Sequence, residues 1–311
     1  MGVSTNDIFG SASGEPATPG SYGQPPKGHR LPDELALGGV RLQVSDLAKS
    51  VDYYQSVLGL TLIDKNAGSA TLAPEGTRES LVELVEKKNV RPAPRRGRLG
   101  LFHFAILLPD RPSLGRFVKH LGAIGAHAGA GDHLVSEAFY LQDPDNLGIE
   151  VYADRPRDTW RRKGRELMMA TDPVDVPGLV AAAGDTTWSG MPTGTHMGHL
   201  HLHVGELDRA RAFYSEGLGL DVMSDLYPGA LFMSAGGYHH HLANNLWAGA
   251  GATPAGPDDA QLLEWTMKFP SGGSLGATID SLGRWGFTGE RQEETVVIQD
   301  PWGQALRLRN G

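Results

Sequence analysis

Two stretches decide how this chain is read: VSDLAKSVDYYQSVLGL, residues 44–60, and VGELDRARAFYSEGLGL, residues 204–220, which match closely 160 positions apart. Each opens on a strand-like valine, passes an acidic residue suited to cap a helix, continues as an amphipathic helix and stops at a glycine. The aromatic pair Tyr53-Tyr54 returns as Phe213-Tyr214. A second, weaker repeat links LQDPDNLGIEVY (141–152) with IQDPWGQALRLR (298–309), each an Asp-Pro turn between two short strand patterns, the signature of a hairpin. Self-similarity of this kind means one supersecondary unit used several times.

Working outward, four units follow, at about 36–88, 100–154, 196–248 and 260–310, each reading strand, helix, then three strands. The class expected is α+β, built from four βαβββ units. Residues 1–34 are rich in Gly, Pro and Ser with few large apolar side chains, and such a composition predicts a flexible tail. Segment 155–195 is polar at first and then carries a short helical pattern, so it reads as a connector packed across two halves. The expected division is a first domain at 35–154 and a second at 196–311.

Composition narrows the chemistry. The chain has 311 residues, a formal net charge of −8 and no cysteine. Disulfides, iron–sulfur clusters and thiol nucleophiles are excluded, and any metal must sit on His, Asp or Glu. An acidic balance without a basic run argues against nucleic acid as a partner. No apolar run approaches the roughly 20 residues that cross a bilayer, and the N-terminus lacks the apolar centre of a secretory signal, so no membrane partner and a cytoplasmic location are expected.

GHLHLHV, residues 198–204, sets three histidines at alternate positions between apolar residues. On a strand all three imidazoles share one face. Neighbours at i and i+2 lie about 6.6 Å apart, so two could reach one ion but three could not easily do so. Spacing alone does not choose among the three; the resemblance described next makes His199 the ligand, with His201 lining the pocket and His203 structural.

Repeated βαβββ units whose opening strand ends V-x-[DE]-L and whose helix ends F/Y-Y-x-x-x-L-G-L resemble the vicinal oxygen chelate superfamily. Within it the chain is similar to the four-unit extradiol ring-cleaving dioxygenases of the catechol 2,3-dioxygenase branch. The segments carrying this are GLFHFAILLP, DHLVSEAFYLQDPDNLGIEVYADRP, MATDP, GHLHLHV and SAGGYHHHLANN, and the likeness spans nearly all of 36–310. It implies two glyoxalase-like domains of cupped sheet, each made of two units, with a metal on the inner face.

The resemblance also implies a ligand set. In that superfamily the opening-strand ligand lies five residues before the apolar residue closing the strand, which gives Gly39, His103, His199 and Glu264 in the four units. The closing strand offers Glu150 in unit two and Arg307 in unit four, where a cation would repel a metal. His103, Glu150 and His199 then form a 2-His-1-carboxylate set suited to Fe(II), with Mn(II) as the alternative. His199 with Glu264 is the competing set, one ligand short. By the same likeness His240 is the acid–base histidine and Tyr140 hydrogen-bonds near the substrate oxygens. His133, His201, His239 and His241 are expected to contact substrate.

The implied reaction is cleavage of an aromatic diol by O2 beside its hydroxyls. The alternatives are a metal-dependent glyoxalase-type isomerase or lyase, and a non-catalytic small-molecule-binding protein. A homo-oligomer is left open.

Overall fold

A computed structural model describes residues 2–11 and 13–311. All four units form as expected, and their alternating strands explain how. In the opening strand of unit two, Arg98–Leu107, Phe104 and Ile106 enter the main apolar core while His103 and Ala105 face the other way. Its helix, Arg111–Ile124, is capped by Asp110, which accepts from Ser113 N at 2.7 Å, and ends at Gly125 in the left-handed conformation. In unit one, Asp46 caps the helix Leu47–Ser56 in the same way. Unit three departs from expectation. Glu206 makes no side-chain cap there, and only Leu207–Ala210 is α-helical before the chain widens into a π-helix over Arg211–Gly217, where Phe213 and Tyr214 are both fully buried.

Among the described residues, the strands of the units assemble into two large sheets. In the first, the opening strands of units two and three, Arg98–Leu107 and His196–His203, lie side by side and antiparallel, with His103 opposite His201 and Ala105 opposite His199. In the second, the opening strands of units one and four, Ala36–Val44 and Gln261–Phe269, pair in the same sense. Each opening strand has the closing strand of its own unit as its parallel neighbour on the other side.

The sheet partnership therefore runs across the division expected at 35–154 and 196–311. Units one and two, and likewise units three and four, occupy different sheets; the link after unit one crosses to the start of unit four, where Arg91 N donates to Asp258 O at 2.8 Å and Ala260 N donates to Arg91 O at 2.8 Å. Adjacent units are tied differently, and here the two sequence repeats meet. Tyr54 on the helix of unit one donates to Asp143 in the Asp-Pro turn of unit two at 3.2 Å, and Tyr214 of unit three donates to Asp300 of unit four at 2.8 Å. One apolar cluster extends through all four units.

The expected flexible tail is instead laid on the body. Phe9, Ala17, Tyr22 and Leu31 are buried, and Glu15–Pro16 joins Arg161–Lys163 and Glu166–Leu167 of the connector in a small third sheet. Gln24 exchanges two backbone hydrogen bonds with Val222, and Arg30 grips Asp221. A few widely spaced anchors suffice, which an averaged composition conceals. The rest of the connector packs helix Val176–Ala182 on the helix of unit two. No helix among the described residues is long and apolar enough to cross a membrane.

Candidate metal centre and cavity

The sheet of units two and three brings His103, Glu150 and His199 together. Glu150, on the closing strand Gly148–Asp154, is the lateral neighbour of Ala105, and His199 is the neighbour of Ala105 on the opposite side. His103 lies two residues before Ala105 and so shares its face. The three donor groups converge over Ala105, whose methyl side chain leaves the space between them open. One donor atom from each lies within 4.8 Å of the others, and all three residues are buried.

Electrostatics suit a cation. Burial opposes charge on Glu150, but the imidazoles, His199 foremost, hold its carboxyl well below the usual range. Burial brings His199 down to about 4, so at neutral pH it is an uncharged imidazole. His199 Nε2 and His103 Nε2 lie 3.2 and 3.0 Å from the same Glu150 oxygen, Oε2. The His103 contact is out of line for a hydrogen bond, and its buried Nε2 has no partner. Orphaned buried nitrogens are rare; this one, aimed with a second imidazole at a carboxylate, fits a divalent metal ion. Neutral nitrogen plus anionic oxygen is also the donor mix that such ions take.

Around this cluster opens a cavity of about 790 Å³. Of the residues expected to contact substrate, His133 and His201 line it, as do Tyr140 and His240; His239 and His241 do not. His241 is turned away, accepting from Ala235 N at 3.2 Å with Ser234 beside it. His239 is wholly buried behind His240. His203, expected as structural, pairs with Asn245 at 2.6 Å and also reaches the cavity wall. His201 stands opposite His103, its Nε2 buried without a partner, and burial pushes its pKa well down.

Two hydrogen-bonded chains flank the cluster. Tyr140 sits directly across the ladder from Glu150, and its hydroxyl meets His133 Nε2 at 2.5 Å, while His133 Nδ1 meets the carbonyl of Ala170 at 2.7 Å. Burial raises the Tyr140 hydroxyl far above its ordinary pKa. On the other side the His240 ring lies 4.0 Å from that of His199, centroid to centroid. His240 Nδ1 meets His239 Nδ1 at 2.7 Å, and His239 Nε2 meets Asp154 at 2.9 Å. Burial, then the neighbouring imidazoles, keep His240 well below its ordinary pKa.

Asp154, Tyr152 and Ala105 escaped sequence reasoning. The signal was present for the first two: Glu150, Tyr152 and Asp154 alternate along one strand and so share a face. Tyr152 hydrogen-bonds Tyr238 at 2.6 Å and packs over Gly198, where an added Cβ would lie 1.9 Å from its hydroxyl. This explains the glycine within the histidine strand, next to His199.

The corresponding positions of the other sheet do not form a donor cluster. Glu264 is gripped by Arg307 through two bonds of 2.6 and 2.8 Å, and Gly39 supplies no side chain. Glu264 thus lies in a different sheet from His199, and the competing set is not brought together.

Paired βαβββ units cupped around a donor cluster define the class. A family model, the glyoxalase/bleomycin resistance protein/dioxygenase superfamily, matches residues 36–151, and the chain belongs to that superfamily. Within it, the chain is 40% identical over 272 residues to a catechol-2,3-dioxygenase of Bacillus subtilis (strain 168), covering 86% of this chain and 95% of that protein. Among solved structures, a dioxygenase-like protein of Bacillus subtilis superposes with a TM-score of 0.61 at 12% identity over 91% of this chain and 86% of its own. Glyoxalase I from Zea mays gives 0.51 at 18% identity over 89% and 92%. Those two likenesses speak to the fold alone.

Proposed function

We propose that the protein is an extradiol dioxygenase that cleaves a catechol-type ring beside its diol, using Fe(II) held by His103, Glu150 and His199. The observation that carries this is the convergence of two imidazole nitrogens and one carboxylate oxygen within 4.8 Å on the wall of a cavity roomy enough for an aromatic ring. The 40% identical relative bearing the catechol-2,3-dioxygenase name supports it. Three protein donors leave open positions on a six-coordinate ion, as the facial triads of oxygen-using non-haem iron sites do. Fe(II), or Mn(II) in its place, would supply Lewis acidity and a template on which diol and O2 meet.

The chain's own groups handle the protons. His239 faces the Asp154 carboxylate through Nε2, so in its neutral form that nitrogen carries the hydrogen and Nδ1 accepts. His240 Nδ1 must then donate to His239 Nδ1. This fixes the His240 tautomer with its lone pair on Nε2, the nitrogen left to take a proton from a catechol hydroxyl and return it to the product. A base oriented by a second group, itself oriented by a carboxylate, follows the logic of catalytic triads. His239 and Asp154 are thus positioning residues.

Tyr140 is set in a like manner. The carbonyl of Ala170 can only accept, so His133 donates from Nδ1 and takes the Tyr140 hydrogen on Nε2. The Tyr140 oxygen keeps lone pairs to accept from a substrate hydroxyl. His201 closes the cavity beside His103 as an uncharged imidazole.

The test is oxygen uptake by anaerobically iron-loaded protein on adding catechol, with absorbance followed for a coloured ring-opened product. One O2 consumed per catechol with that product is expected. Metal binding without oxygen consumption across a catechol panel would contradict the proposal.

A further inference from the structure

The cavity has a wall that neither the four units nor the connector supplies. Gly2 and Val3 line it, placed there by the segment that the sequence alone predicts to be flexible. Val3 is held on both sides: its N–H donates to the Tyr227 hydroxyl at 2.9 Å, and its carbonyl accepts from Thr171 N at 2.8 Å. Thr5 then donates to Asp172 from backbone and hydroxyl, at 2.9 and 2.5 Å. The helix Thr5–Phe9 follows, capped by Ser4, with Phe9 buried. The Val3 side chain packs against the apolar cluster containing Tyr227, Met169 and Phe232, which line the cavity too. Gly2 lies so close to Thr171 that a Cβ there would come within 2.4 Å.

From this we infer that residues 2–9 form a fixed strap, and that Val3 on it determines which ring substituents the cavity admits. The inference rests on the proposed catechol cleavage. The cavity, about 790 Å³, is several times the roughly 150 Å³ that accommodates a benzene ring. The ring at the metal cluster therefore leaves space to fill. Arg95 and Arg96 also line the cavity, but Val3 packs with the apolar side chains of Met169, Tyr227 and Phe232, so the part of the space beside Val3 takes an apolar substituent. A methylene gained or lost in an apolar pocket changes discrimination about 10- to 200-fold. Replacing an isopropyl group by a methyl or a benzyl group in that wall falls within the same range.

The experiment is a substrate ladder: catechol, its ring-alkylated derivatives from methyl to butyl, and a phenyl-substituted catechol. The unmodified iron-loaded protein is compared with Val3→Phe, Val3→Ala and Asp172→Ala, the last releasing the strap. The readout is kcat/KM for each substituted catechol divided by that for catechol, because a merely structural role scales every substrate alike. Val3→Phe should lower the ratio for the longest members about tenfold, chiefly through KM. Val3→Ala and Asp172→Ala should raise it.

Ratios that stay flat across all three variants would overturn the inference while leaving ring cleavage standing. Absence of cleavage by the unmodified protein would count against the proposed reaction instead. Calorimetric binding of the same ladder then decides the strap's role: Kd values that diverge with chain length in Val3→Phe uphold it, and parallel Kd values or no binding at all overturn it.

Discussion

Ala105 shows how little separates a donor-lined cup from a packed core. It is fully buried and sits in the same lateral row as Glu150 and His199. Enlarging it to Leu puts a branched side chain where the donors converge. Overpacking of this kind costs about 1–3 kcal/mol, which a fold of this size withstands. Ala105→Leu should therefore stay folded by circular dichroism but lose bound metal, although every donor remains; normal metal content in that variant would show that the donors do not meet over this residue. His240→Ala acts on a different step. It should keep its metal while kcat falls about 10²- to 10⁴-fold, the usual contribution of a positioned acid–base group. A kcat within a factor of a few of the parent would remove His240 from the reaction.

Among the structural elements, the Asp-Pro turn of unit two carries a titration that can be read in stability. Burial lifts the Asp143 carboxyl to about 7, despite hydrogen bonds from Leu147 N, Asp145 N and Tyr54. The unfolded value is about 3.9. Between those two values the folded chain binds the proton that the unfolded chain has lost. This group's contribution is complete below about pH 4 and disappears as pH rises through about 7, at about 1.4 kcal/mol per unit. Asp143→Asn should flatten that part of the curve, so its melting temperature relative to the parent should rise from pH 5 to pH 8. An unchanged difference across that range would mean the carboxyl is ionised throughout. Metal-free protein should be used for both, since acid also releases metal from imidazoles.

The elements themselves were largely legible in the sequence. Period-two alternation marked the histidine strand, and in unit one Asp46 marked the helix start and Gly59 its end. Glu206 was misleading. It occupies the capping position in unit three but makes no cap bond, and the helix there runs mostly as a π-helix.

At the scale of the whole molecule, the pairing of units carries the site. The ligand rule drawn from the family resemblance pointed to His103, Glu150 and His199, and the structure brings these three together. A ligand set drawn from units two and three also requires those two units to be partners, across the division expected at 35–154 and 196–311, and the structure places them in one sheet. Which opening strands pair is settled by contacts between residues far apart in sequence, such as His201 with His103, 98 positions away, and Trp265 with Val40, 225 positions away. No local pattern records them. The order of residues 2–11 and 13–34 was hidden for a related reason: a handful of buried anchors does not alter a composition dominated by Gly, Pro and Ser.

A bound ion should also stabilise the whole chain, because the unfolded polypeptide has no such cluster. At free metal one hundred times Kd the gain is about 2.7 kcal/mol. Chelation should accordingly lower the melting temperature, and readdition of Fe(II) or Mn(II) should restore it; a transition unaffected by either step would speak against a site in the folded state.

The most direct measurement is metal stoichiometry by mass spectrometry on purified protein loaded anaerobically with iron, comparing the parent with His103→Ala, His199→Ala and Glu264→Ala. Glu264, held by Arg307 in the other sheet, is the control. The account predicts one ion per chain in the parent and in Glu264→Ala, and next to none in the two histidine variants. Iron retained in His103→Ala and His199→Ala, or lost in Glu264→Ala, would contradict it.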